Sequence, residues 1–143
     1  MRSRIPGEQI DLLKTVPLFS SCTHGERREI AQLGTPIFAE EGAYPTSNGQ
    51  PGRELFLVLE GMAPCRARRR EVNRFPAGTY FGERAHLHGG IRTADVIAET
   101  PMELVVFDAR EFRSLLMTTP SIGMEMLAHL AERVTETDPQ YSS

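Results

Sequence analysis

The chain has 143 residues, 40% of them hydrophobic and 24% charged, with a formal net charge of −3. A single domain of this size buries a core without disulfide or metal staples, and the acidic balance speaks against a general nucleic-acid or anionic-membrane binder. No apolar run approaches the roughly 18 residues of a bilayer span, no apolar signal region follows the Met-Arg-Ser-Arg start, and Cys22 and Cys65 form no CxxC motif. Two free thiols in a cytoplasmic protein are expected.

In chain order, Ile10, Leu12 and Leu13 predict a helical segment that Pro17 stops or kinks. Thr23-His24-Gly25-Glu26 reads as a capping box, opening a short helix with Ile30 and Leu33 on one face and Gly34-Thr35-Pro36 at its end. The middle is punctuated by Gly42, Gly49, Gly52 and Gly61 with Pro45 and Pro51, the signature of short strands and turns. The continuous run Leu55–Leu59 predicts a buried strand. Ala63 to Arg66 predicts a second, on a sheet edge or bulged because Pro64 lacks an N–H. Arg68-Arg69-Arg70-Glu71 predicts an exposed turn, Val72 and Phe75 a returning strand, and Pro76-Ala77-Gly78 another turn. Thr93–Ala98 and Leu104–Phe107 are the last strand candidates. Many short strands at near-regular spacing imply a β-roll or barrel-like sandwich. Asp108-Ala109-Arg110-Glu111 is a second capping box, with Phe112, Leu115 and Leu116 as the apolar face of its helix. Thr119-Pro120 then opens a helix from Ser121 to about Val134, with Ile122, Met126, Leu127, Leu130 and Val134 on one stripe and Glu125, His129, Glu132 and Arg133 opposite. Thr135–Ser143 is a polar tail.

The run Phe81–Val96 carries the most chemistry. It holds a Gly-Glu pair, a short apolar stretch, a Gly-Gly turn and Arg92-Thr93-Ala94 leading into a strand. That order suits a sugar phosphate: glycines let backbone approach a ligand, a carboxylate accepts from ribose hydroxyls, and an arginine fork matches phosphate oxygens. No nucleophile elbow, Walker loop or HExxH occurs, and no acid–base pair has a catalytic context, so an enzyme is not expected.

Helices, a glycine-punctuated β-roll and two further helices resemble the cyclic nucleotide-binding domain, from about Leu12 to Val134. The loose G-x6-G-x2-G-x8-G pattern of that family is met by Gly42, Gly49, Gly52 and Gly61, its Gly-Asp-x-Leu-Tyr strand by Gly52–Gly61, and its phosphate-binding cassette by Phe81–Val96 without a gap. The resemblance implies an α+β fold: an antiparallel β-roll, a jelly-roll-like double-stranded β-helix, flanked by N-terminal helices and two C-terminal helices. Its implied divisions are helices over 8–34, the roll over 35–108 with the cassette at 81–96, and helices over 109–134. It also implies ligand roles. Phe81 and Gly82 shape a close approach, Glu83 accepts from the ribose 2′-OH, and backbone N–H groups around Arg84 and Ala85 face the cyclic phosphate. Arg92 pairs with its oxygens, Thr93 meets the phosphate or the guanine amine, and Ala94 follows in the wall. The last helix closes as a lid, with Leu127 or Leu130 over the purine.

A regulatory sensor of cAMP or cGMP is the function this implies, with no cofactor and no metal. Its partners would be the nucleotide and an effector protein or fused effector domain, with a homodimer through the last helix as a further option. Direct DNA binding is not expected, since only nine residues follow Val134. The cassette departs from the family at Arg84, His86 and Ile91, Arg53 replaces an aspartate, and Asp95 brings a carboxylate near Arg92. These changes motivate the alternative of a degenerate domain acting through protein contacts. A structural Glu83–Arg92 ion pair is the plain reading of those two residues. Arg66, Arg68, Arg69, Arg70 and Arg74 read as a solvated hairpin or as an acidic-partner or nucleic-acid patch. His86-x-His88 resembles a cupin metal site, but Arg92 and Thr93 stand where its downstream carboxylate belongs. His24 and His129 lie on polar faces.

Overall fold

The computed structural model describes residues 13, 14, 16–83, 85 and 89–136, with side chains up to residue 128. The segment around Ile10, Arg84, His86, His88 and the polar tail beyond residue 136 lie outside the described residues.

The elements follow in order as a 3-10 turn at Pro17–Phe19, α1 (His24–Leu33), β1 (Thr35–Ala39), β2 (Leu55–Glu60), β3 (Met62–Ala67) and β4 (Arg70–Pro76). Then come β5 (Tyr80–Phe81), β6 (Asp95–Val96), β7 (Met102–Phe107), α2 (Ala109–Thr118) and α3 (Pro120–Glu136). Two antiparallel sheets form the roll, one in the order β1-β7-β2-β5 and one in the order β4-β3-β6. The fold is the α+β, antiparallel β-roll architecture expected from the sequence.

Period-2 geometry explains the continuous apolar run of β2. Leu55, Leu57 and Leu59 face one core, with Val105 and Phe107 of β7 and with Ile30, Phe112, Leu115, Ile122 and Met126 of the helices. Phe56 and Val58 face the other, inside the roll, with Met102, Leu104, Ala63, Phe75, Phe81 and Val96. β2, inside the four-stranded sheet, is thus buried on both faces.

Both capping boxes form. Thr23 Oγ1 accepts from the Glu26 N–H while the Thr23 N–H donates to the Glu26 carboxylate, and Asp108 and Glu111 repeat the exchange. α3 starts at Pro120 as its sequence predicts but runs two residues past Val134, to Glu136.

Three expectations change and one open alternative is settled. β1 is a strand that periodicity misses, because it pairs only with β7 at a sheet edge and leaves Thr35 to Phe38 exposed. The strand read over Thr93–Ala98 shortens to Asp95–Val96. Of the two readings of Pro64, the bulge is the one that holds: its strand is the middle one of its sheet, with a register shift at Cys65/Arg66. Its carbonyl accepts from Ile97 N–H just beyond the end of β6, so the missing N–H faces the side where the ladder stops. Leu127 is 62% exposed and leaves the stripe defined by buried Ile122 and Met126: at 100° per residue, position i+5 lies well off the face of i and i+4.

Candidate functional site

Two segments distant in sequence are laced together around Arg92. The Gly49 N–H donates to the Arg92 carbonyl, the Arg92 N–H to the Gln50 carbonyl, and the Gly52 N–H to the Gly90 carbonyl, at 2.8, 2.9 and 2.7 Å. Thr46 pairs with Val96 and Pro51 with Ile91 as isolated bridges. The glycine loop therefore grips the second half of the 81–96 run by its backbone. Asp95 faces this loop rather than Arg92: its carboxylate accepts from the Asn48 N–H at 2.7 Å.

The Arg92 side chain is 6% exposed. Its Nη1 donates to the Gly82 carbonyl at 3.0 Å and its Nη2 to the Glu54 carbonyl at 2.9 Å. A longer contact of 3.5 Å reaches Glu54 Oε1, whose side chain is half-exposed. The guanidinium carbon lies 5.6 Å from the Phe56 ring centroid, within cation–π range. Phe56 stacks on Phe81 at 4.9 Å, and Phe81 on Phe75 at 5.0 Å. Burial lowers the pKa of the guanidinium from its ordinary value, and the Glu54 and Glu83 carboxylates oppose that; an arginine remains charged throughout the physiological range.

Gly82 is required by this geometry. Its φ is +99°, and a Cβ there would sit 2.4 Å from the Glu54 carbonyl oxygen and 3.0 Å from Arg92 Nη1. Gly52 closes on the other flank, where a Cβ would meet Arg92 Nε at 2.9 Å. Arg53, in place of the family's aspartate, donates from Nη2 to the Gly89 carbonyl at 3.1 Å and lies against Gly90. Arg92, Gly52 and Glu54 also line a small open cleft of about 150 Å³ with the Tyr44–Pro51 loop.

The residues singled out in the sequence separate into groups. Gly82 and Arg92 touch, and Glu83 is buried close by at 4% exposure. Phe81 belongs to the aromatic bed, Ala85 is buried, and Ala94 is half-buried with its carbonyl accepting from Thr46 Oγ1. Thr93 is exposed. Leu127 is exposed, and the Leu130 side chain lies outside the described set. Glu54 was missed, although it stands two residues after Gly52 in the strand motif. Among the described residues no cluster of His, Cys, Asp or Glu could hold a metal, and no helix is long and apolar enough to cross a membrane.

The sequence model of the cyclic nucleotide-binding domain matches residues 36–119. A cAMP-dependent protein kinase regulatory subunit of Schizosaccharomyces pombe is 32% identical over 106 residues, covering 73% of this chain and 26% of that protein. A cGMP-dependent protein kinase of Caenorhabditis briggsae is 28% identical over 114 residues, covering 75% of this chain and 15% of that one. The chain thus spans about a quarter or less of these curated relatives. Among solved structures, cAMP-bound PfPKA-R superposes with a TM-score of 0.81 at 22% identity, over 95% of this chain and 49% of that one. The family model spans most of the roll and the first helix behind it, and the glycine-gripped run Phe81–Val96 lies within its match; the chain belongs to the cyclic nucleotide-binding domain family.

Proposed function

We propose that the chain is a regulatory sensor module that binds a cyclic purine nucleotide, cAMP or cGMP, and signals by moving its C-terminal helices. The observation that carries this reading is Arg92. It is a buried cation whose nearest bonds go to two backbone carbonyls, which orient it without neutralising it. Its hydrogen bonds all leave from Nη1 and Nη2, out of the five N–H donors of a guanidinium, and a cyclic phosphate takes up the remaining capacity. Hydrogen bonds to a charged group contribute about 1.5–3 kcal/mol each, so a two-pronged contact supplies much of the roughly −8 kcal/mol of a micromolar complex.

In this reading Glu83 accepts from the ribose 2′-OH, backbone N–H groups near Arg84 and Ala85 face the phosphate, and Thr93 meets the phosphate or a guanine amine. Phe81, Gly82 and Ala94 form the wall. Leu127 or Leu130 moves over the purine when α3 swings, a population shift that requires the ligand to contact the closed state better than the open one. The output passes to an effector protein or a fused effector domain in the cytoplasm, with α3 available for pairing in a homodimer. The module senses and does not catalyse.

Calorimetric titration with cAMP and with cGMP tests this. Heat with saturation at submillimolar nucleotide is expected, and Arg92→Lys, which keeps the charge but cannot fork across carbonyls and phosphate, abolishes most of it. Absence of heat with both nucleotides overturns the sensor reading. It leaves the degenerate reading, in which Glu54 and the two carbonyls are the lasting partners of Arg92 and the fold acts through protein contacts.

A further inference from the structure

The β3–β4 hairpin is the most charged feature outside the candidate site. Five of the sixteen basic residues but only one of the nineteen acidic ones, Glu71, fall within residues 66–74. That stretch carries +4 and the remaining chain −7. Arg66, Arg68, Arg69, Arg70 and Arg74 are all exposed.

The turn that joins the strands is two residues long, with Ala67 opposite Arg70 in register. Its two central residues, Arg68 and Arg69, have φ of +54° and +67°. Positive φ at both positions defines a type I′ turn, which Asn-Gly adopts without strain and arginine does not. They are the only positive-φ residues other than glycine among the described residues. The Arg66 guanidinium donates across the turn to the Arg69 carbonyl, and Arg74 is braced by Glu71 and Glu99. Charges along an edge strand discourage self-pairing, and β4 is such an edge. That accounts for Arg70 and Arg74 but not for two arginines at left-handed positions of the tip, where residues other than glycine, asparagine and aspartate are uncommon.

We infer that this hairpin is a docking site for a short acidic segment of a partner protein, laid beside the open edge of β4. Charge complementarity and dimensions select that occupant. Arginine forks match carboxylates in two-pronged pairs. Residues 66–74 hold no exposed aromatic side chain for stacking bases and no exposed apolar side chain for entering a bilayer. The remaining chain carries −7, a net charge that opposes association with a polyanionic duplex or membrane surface. A short peptide meets only the hairpin.

The test is fluorescence anisotropy of a labelled octaglutamate peptide with the whole chain. Wild type binds it, and the affinity falls steeply between about 50 and about 300 mM NaCl as screening tightens. The double variant Arg68→Asn/Arg69→Gly weakens binding about tenfold while its melting temperature holds or rises, because the turn strain is relieved. Arg110→Asn/Arg113→Asn, which removes two exposed arginines elsewhere, leaves binding nearly unchanged. The inference is overturned if wild type does not bind at low salt, or if the two double variants lose affinity equally. Tighter binding to phosphatidylcholine vesicles containing phosphatidylserine, or to a short DNA duplex, than to the peptide also overturns it.

Discussion

Arg92 has a structural role that a substitution to alanine would confuse with the proposed phosphate contact. Its side chain bridges the carbonyls of Gly82 and Glu54 and lies over Phe56. Truncation strips both part-buried acceptors of this donor, at up to about 1–3 kcal/mol for each group left unsatisfied. Loss of ligand binding in Arg92→Ala would therefore report damage to the fold as readily as loss of the phosphate contact. Glu54 offers the cleaner probe. Its backbone carbonyl holds Arg92, whereas its half-exposed carboxylate only approaches the guanidinium, at 3.5 Å. Glu54→Gln keeps the former and removes the negative charge that a phosphate must approach. Nucleotide binding by calorimetry is expected to tighten about two- to fivefold, with little change in melting temperature, as fits a partly solvated charge contact. Weaker binding in Glu54→Gln would instead give the carboxylate a positive role in holding the ligand. The chain makes Arg92 legible through its place after a Gly-Gly turn, but not its embrace by Glu54, which stands just ahead of β2, 38 residues away.

At the scale of elements, what could be read from sequence was whatever rested on local rules. Thr23 with Glu26 and Asp108 with Glu111 satisfy helix N-termini from three residues away, and both boxes form with the predicted partners. The run of β2 is apolar throughout because both of its faces are covered. What depended on distant partners was hidden. β1 carries no alternation because its exposed edge buries little more than Ala39, and the segment from Gly42 to Gly52 contributes bridges and backbone bonds rather than strands. The stripe on α3 overreached at Leu127, where helical periodicity argues against it. The caps carry a testable weight. Asp108→Ala removes the acceptor for the Glu111 N–H at the start of α2, the helix that joins β7 to α3. A loss of about 1 kcal/mol and a fall of roughly 3–5 °C in thermal denaturation are expected. Asp108→Asn, which keeps a capping oxygen, should recover most of it.

For the whole molecule, the four-stranded sheet separates a helix-side core from a roll core, and its two thiols report on one side each. Cys22 is a member of the helix-side core, 6% exposed, whereas Cys65 lies half-buried against the roll core. Burial raises the Cys22 pKa above its ordinary value of 9.0, with Glu26 adding to the effect and Arg27 opposing it. Because the folded state holds this proton more tightly than the unfolded one, the associated stability is complete below pH 9.0 and is lost as pH rises through the raised value. Denaturant unfolding above pH 9.0 should therefore show a downward slope that Cys22→Ala reduces. The same thiols separate motion of the helical layer from opening of the roll. At fixed pH, modification of Cys22 by a disulfide reagent requires opening of the helix-side core, to which α2 and α3 contribute, while Cys65 needs only local opening of the roll. If a cyclic nucleotide acts by repositioning α2 and α3, saturating ligand should change the Cys22 rate several-fold. A ligand that merely tightened the roll around Arg92 would slow Cys65 and leave Cys22 as it was. Equal changes at both would point to stabilisation of the whole fold by mass action, without the helical movement that the sensor mechanism requires.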